Sequence, residues 1–143
     1  MRYWTYPAEA ENGATILVTG RDDVDKYRSS GKYNFRVEVH WRYAPSGMPT
    51  DDQARLMGDA TDALQAALDK NKGAVLTGIY TGDGSRDWIF YTKGLEMFGK
   101  IFNRALEGLP RLPLEMEAYE DPDWEEYSEI CLLYTSDAAD EAR

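Results

Sequence analysis

The single histidine, His40, limits the chemistry that this 143-residue chain can assemble. Without a second imidazole a multi-histidine metal site is excluded, and any acid–base step would fall on one ring. His40 lies on the polar parity of a strand, where a solitary imidazole reads as a surface residue. Gly82-Asp83-Gly84-Ser85 has the glycines of a phosphate-cradling loop. It lacks the Gly-Lys-Ser/Thr ending and joins two β-rich runs instead of opening a helix, so it reads as a hairpin turn. The acids Glu115, Glu117, Glu120, Asp121, Asp123, Glu125 and Glu126 are of the type a hard cation prefers. They lack EF-hand spacing, and nothing fixes the separation of two hydrolytic carboxylates, so they read as a solvated rim. The expectation is therefore no catalytic residue, no metal ligand and no cofactor.

Binding chemistry is better represented. Arg86 and Asp87 precede Trp88 at successive strand positions, where neighbours face opposite sides and cannot simply pair with each other. They read as a structural ion pair or turn cap, with a polar anchor in a groove as the alternative. Tryptophans dominate both cores and interface hot spots. Trp41 is assigned to the core, whereas Trp4, Trp88 and Trp124 are the candidates for a partner-facing patch.

The elements that must position these groups follow from periodicity. Phe35, Val37, Val39, Trp41 and Tyr43 alternate with Asn34, Arg36, Glu38, His40 and Arg42, the period of two that defines a strand. Thr50-Asp51-Asp52-Gln53 has the form of a capping box. Met57, Ala60, Leu64, Ala67 and Leu68 then continue at helical steps, with Gly73 as the stop. Val75 to Thr81 and Arg86 to Thr92 form the hairpin about the Gly-Asp-Gly-Ser turn. A second amphipathic helix carries Leu95, Phe98, Ile101, Phe102, Ala105 and Leu109 and ends at Gly108 and Pro110. Leu112, Leu114, Met116 and Ala118 mark a last strand, and Ala14 to Thr19 an extra one near the N-terminus.

From Tyr33 onward the order is β-α-β-β-α-β, which predicts an α+β, ferredoxin-like split-βαβ sandwich with an extra N-terminal strand. Two helices would cover one sheet face. Arg36, His40 and Arg42 would point to the open face, joined by Trp88 and Phe90 or by Ile89 and Tyr91.

Trp4-Thr5-Tyr6, Ala14 to Val18, Thr81-Gly82-Asp83-Gly84-Ser85-Arg86-Asp87-Trp88-Ile89-Phe90-Tyr91 and Glu120-Asp121-Pro122-Asp123-Trp124 occur in this order. Together they make the chain resemble the bacterial domain of unknown function 695 family over about residues 3–130. The family has no established activity or catalytic residues to carry over. Some members are similar in arrangement to proteins with a neighbouring domain resembling the regulator of ribonuclease E activity B, a ferredoxin-like interaction protein.

Composition narrows the function classes. The chain is 43% hydrophobic and 13% aromatic, enough for one core and too short for two ordinary domains. No run approaches the roughly 18 apolar residues of a membrane span, and Met1 to Gly20 lacks the pattern of a signal peptide, so a cytoplasmic place is expected. The net charge of -10 opposes a phosphate backbone and suits a basic protein partner.

Residues 131–141 read in frame as a translated transposon-end sequencing adapter, so one domain over residues 1–130 and a non-native tail over 131–143 are expected. Without that tail the acids Asp137, Asp140 and Glu141, the base Arg143 and the sole cysteine, Cys131, are lost. The net charge moves from -10 to -8, and thiol chemistry leaves with Cys131. The leading expectation is a non-catalytic protein-interaction or regulatory module using the open face, with a second copy of the chain as a possible partner. A single-stranded RNA-binding module with aromatic stacking, and a small enzyme, are the alternatives.

Overall fold

A computed structural model describes residues 3–71 and 73–131. The adapter-like stretch beyond Cys131 lies outside the described residues. The strands are β1 (Tyr3–Glu9), β2 (Thr15–Arg21), β3 (Phe35–Arg42), β4 (Ala74–Gly82), β5 (Ser85–Thr92) and β6 (Leu114–Glu120). The helices are α1 (Asp25–Ser29), α2 (Asp51–Asn71), α3 (Leu95–Ala105) and α4, residues 125–131. The molecule is α+β, as the alternation of patterns implies.

The strands form one antiparallel sheet in the order β1-β2-β4-β5-β3-β6. This order differs from a four-stranded sheet with one added strand. Two strands precede β3, and their hairpin attaches outside β4. β1, whose pattern Pro7 interrupts, was not among the expected elements. Pro7 is tolerated at this edge because an outer strand has one side on which no ladder N–H is needed.

Local chemistry sets the other boundaries. The Thr50 backbone N–H donates to Gln53 Oε1 at 2.9 Å, and the Gln53 N–H donates to Thr50 Oγ1 at 3.2 Å, the reciprocal pair of a capping box. Between β4 and β5 only Asp83 and Gly84 lie outside the strands, with φ of 50° and 84°. Positive φ at both positions gives the turn twist that matches paired strands, and Gly adopts it without a Cβ penalty.

Two cores result, one on each side of the sheet. The first holds Val37, Val39, Trp41, Leu76, Trp88 and Phe90 against Met57, Leu64 and Leu68 of α2 and Phe98 and Phe102 of α3. The second holds Trp4, Val18, Val75, Ile89 and Tyr91 with Val24, Tyr33, Trp124, Tyr127 and Ile130. The expectation of one fully open face is therefore corrected. In β5, Trp88 and Phe90 enter one core while Ile89 and Tyr91 enter the other, each no more than 3% exposed. A strand apolar on both sides needs cover on both sides.

Trp124 anchors the second layer. Its ring stacks on Tyr91 with centroids 4.2 Å apart, and its indole N–H donates to the Tyr33 carbonyl at 2.8 Å. Trp124→Ala should cost about 3–5 kcal/mol through lost burial and cavity formation. Trp124→Phe should cost about 1–2 kcal/mol for the orphaned carbonyl and reduced ring. Urea unfolding of both variants measures this, and an unchanged midpoint for Trp124→Ala would show that the Trp124 anchor is dispensable to the fold.

Candidate functional site

The uncovered part of the second face is a polar strip whose layout follows from strand register. Arg36, Glu38 and His40 of β3 lie opposite Tyr91, Ile89 and Asp87 of β5. On the other side they lie opposite Tyr119, Glu117 and Glu115 of β6. The period of two puts all of these side chains on one face. Tyr80 of β4 pairs with Asp87 and extends the strip toward α4.

His40 Nδ1 lies 2.7 Å from Asp87 Oδ1, which also accepts from the Ser85 hydroxyl at 3.0 Å. His40 Nε2 lies 3.7 Å from Glu38 Oε1. Partial burial opposes the charged imidazole, but the hydrogen bond to Asp87 and the charges of Asp87, Glu38 and Glu117 together outweigh it and raise the pKa. Arg36 donates from Nε to Glu38 Oε2 and from Nη1 to Asp121 Oδ2, both at 2.8 Å, and its guanidinium lies 4.6 Å from the Tyr119 ring centroid. The Tyr119 hydroxyl donates to Glu117 Oε2.

Asp121 closes the strip at the start of α4. Its carboxylate accepts from the Tyr91 hydroxyl at 2.6 Å, the Glu125 N–H at 2.8 Å and Arg36. Burial alone would raise its pKa, but these donors lower it below the usual carboxylate value. Glu126 is the contrasting case. It accepts from the Tyr80 hydroxyl through one oxygen, while its Oε2 is buried with no hydrogen-bond partner among the described residues. Burial raises its pKa, and it raises that of Tyr80 as well.

The residues singled out from sequence divide accordingly. Arg36 and His40 share the strip, as the parity of β3 requires, but both are already engaged. Arg42 on the same parity is exposed and donates to its own loop at Pro45 O, 3.3 Å away. Arg86 lies on the opposite parity, where its Nε donates to Thr81 Oγ1 at 2.9 Å and burial lowers its pKa. The geometry thus separates Arg86 from Asp87. The partner-facing assignment of Trp4, Trp88 and Trp124 gives way to packing, because all three are core residues. The Trp88 indole donates to Thr61 of α2 at 2.9 Å, and the Trp4 ring lies so close over Gly20 that a Cβ there would fall 2.1 Å from it.

Sequence reasoning missed the grouping of Glu38, Asp87 and Glu117 around His40. The signal was present in part, because Glu38 and His40 share a parity. The register between β3 and β6, which brings in Glu117, is not readable from either strand alone. Surface hollows of about 500 and 640 Å³ lie beside α3, against the other core, and share Lys100 and Ile101. The titratable cluster and these concavities therefore occupy opposite sides of the sheet.

A family model described as "Family of unknown function (DUF695)" matches residues 3–132. Among solved structures, a conserved hypothetical protein, Aq1575 from Aquifex aeolicus, is similar at 16% identity with a TM-score of 0.26. The match covers 90% of this chain and 56% of that one, so the chain spans little more than half its length. No curated protein matches.

The charges set two pH responses. His40 should titrate above its ordinary value in an NMR pH series, and Asp87→Asn should lower it. Because the folded-state pKa is raised, its stabilisation is present in full below the unfolded pKa of about 6.5 and is lost as pH rises through the folded value. Glu126→Gln should stabilise the chain by about 1 kcal/mol on the alkaline side of the raised Glu126 pKa, where the buried carboxylate is ionised, and by less as pH falls through it. Urea titrations at the two extremes test this, and an equal effect at both would refute the charge penalty.

Proposed function

The chain belongs to the DUF695 family, and from that premise we propose a non-catalytic protein-interaction module that receives a basic segment of another protein along β6 and the adjoining polar strip. The observation that carries this reading is the exposure of β6. From Glu115 to Glu120 every residue is exposed, with Met116 and Tyr119 at 45% and 40%. Among the described residues β6, as an outer strand, pairs only with β3, which leaves ladder donors and acceptors for an added strand. Glu115, Glu117 and Glu120 provide charge complementarity to lysine or arginine, and the net charge of -10 favours approach of a basic partner.

Within this reading, β3-α2-β4-β5-α3-β6 is a ferredoxin-like unit, supported by its local order β4-β5-β3-β6, with the β1-β2 hairpin as an addition. A cytoplasmic place fits the reading. Among the described residues no helix is long and apolar enough to cross a membrane. The RNA alternative draws little support, because its stacking platform would need Trp88, Phe90, Ile89 or Tyr91, all of which are buried.

Glu115→Lys combined with Glu120→Lys should abolish capture of the partner from lysate. Arg42→Glu, away from β6, should retain it. Sedimentation of the purified chain separates a second copy from a different protein. The same captured proteins with wild type and the double variant would sink this reading.

A further inference from the structure

The strip places one imidazole and two carboxylates so that each is held at one atom and has another to offer. Ligand atoms of Glu38, His40 and Glu117 all lie within 4.8 Å of one another. Arg36 binds Glu38 Oε2, leaving Oε1 facing the imidazole. The Tyr119 hydroxyl binds Glu117 Oε2, leaving the other oxygen. Asp87 holds His40 Nδ1, so its carboxylate accepts from Nδ1–H and leaves the Nε2 lone pair, 3.7 Å from Glu38 Oε1, for a ligand. Carboxylate–histidine support of this kind orients metal-binding imidazoles and raises their basicity.

The alternative is a plain ion-pair network, within whose range Nε2–Glu38 also falls, but a network alone gives no reason for the Nε2 hydrogen bond to be left unmade. An imidazolium satisfied by both neighbours would bring each oxygen to about 2.7–2.9 Å. Here Nδ1–Asp87 is 2.7 Å, whereas Nε2–Glu38 is 3.7 Å, beyond hydrogen-bond reach. Two ligands each about 2.1 Å from one ion stand roughly this far apart, so the gap suits a shared cation.

We propose that Glu38, His40 and Glu117 bind one divalent transition-metal ion, with Asp87, Arg36 and Tyr119 as positioning residues. One nitrogen and two carboxylate oxygens favour zinc or manganese(II) over calcium, which takes six to eight oxygens. This inference is independent of the protein-interaction reading and concerns the purified chain alone.

Chelator-treated protein should take up one zinc ion per chain in calorimetric titration. His40→Gln and Glu117→Gln should each weaken binding at least tenfold with the fold retained by circular dichroism. Asp87→Asn should weaken it 10- to 100-fold, the range for loss of a supporting carboxylate. Manganese(II) should broaden the His40 ring resonances selectively, a signature that a structural role for these residues would not produce. Non-saturating uptake, or zinc affinity unchanged in His40→Gln, would overturn the site. Loss of partner capture by β6 variants leaves this result untouched.

Discussion

The Asp121 carboxylate joins the sheet to its second layer, and the placement of the other groups depends on it. The residue is 4% exposed, so an uncompensated charge there would be costly. Compensation comes from three directions: Tyr91 from the centre of the sheet, Arg36 from β3, and the free N–H groups of Glu125 and Glu126 at the start of α4. The last contribution is a helix-start effect, in which a carboxylate accepts donors that have no partner inside the helix. One buried acid thus fixes where α4 begins. Trp124, held at φ 56° just before the helix, then turns its ring onto Tyr91.

This junction determines which part of the second face stays open. Tyr127 and Ile130 follow Trp124 at three-residue steps and cover Val75, Ile89 and Tyr91 near the middle of the sheet. Among the described residues the layer does not extend over β6, whose side chains are exposed from Glu115 onward. The polar strip lies at this boundary, where Arg36 serves both the covered and the uncovered side by bridging Asp121 and Glu38. Partial burial there strengthens the local electrostatics without removing the groups from solvent.

Much of the first layer was legible because local rules suffice for it. The strict alternation of β3, the Thr50–Gln53 box and the Asp83-Gly84 turn each specify their structure within a few residues. The second layer was hidden because its signals are nonlocal. Glu120 to Ile130 reads as acidic and aromatic, and only the contacts with Tyr33, Arg36 and Tyr91 turn Asp121 and Trp124 into an anchor. The tryptophans near the family-like segments read as a surface patch for the same reason. Their types are ambiguous between core and interface, and only packing resolves them.

The two roles assigned to the exposed strip are linked through charge. A cation held by Glu38, His40 and Glu117 would cancel part of the field that attracts a basic segment to β6. A partner lysine or arginine placed against Glu117 would compete for the same carboxylate. By linkage, the factor by which one ligand weakens the other must be reciprocal. Glu115 and Glu120 lie outside the three-residue set and would preserve some attraction with the cation in place, so the coupling would be partial and not all-or-none. Because β6 supplies Glu117 while β3 supplies the other two, it also depends on the β3–β6 register remaining fixed, which an added strand at the free edge of β6 would not disturb.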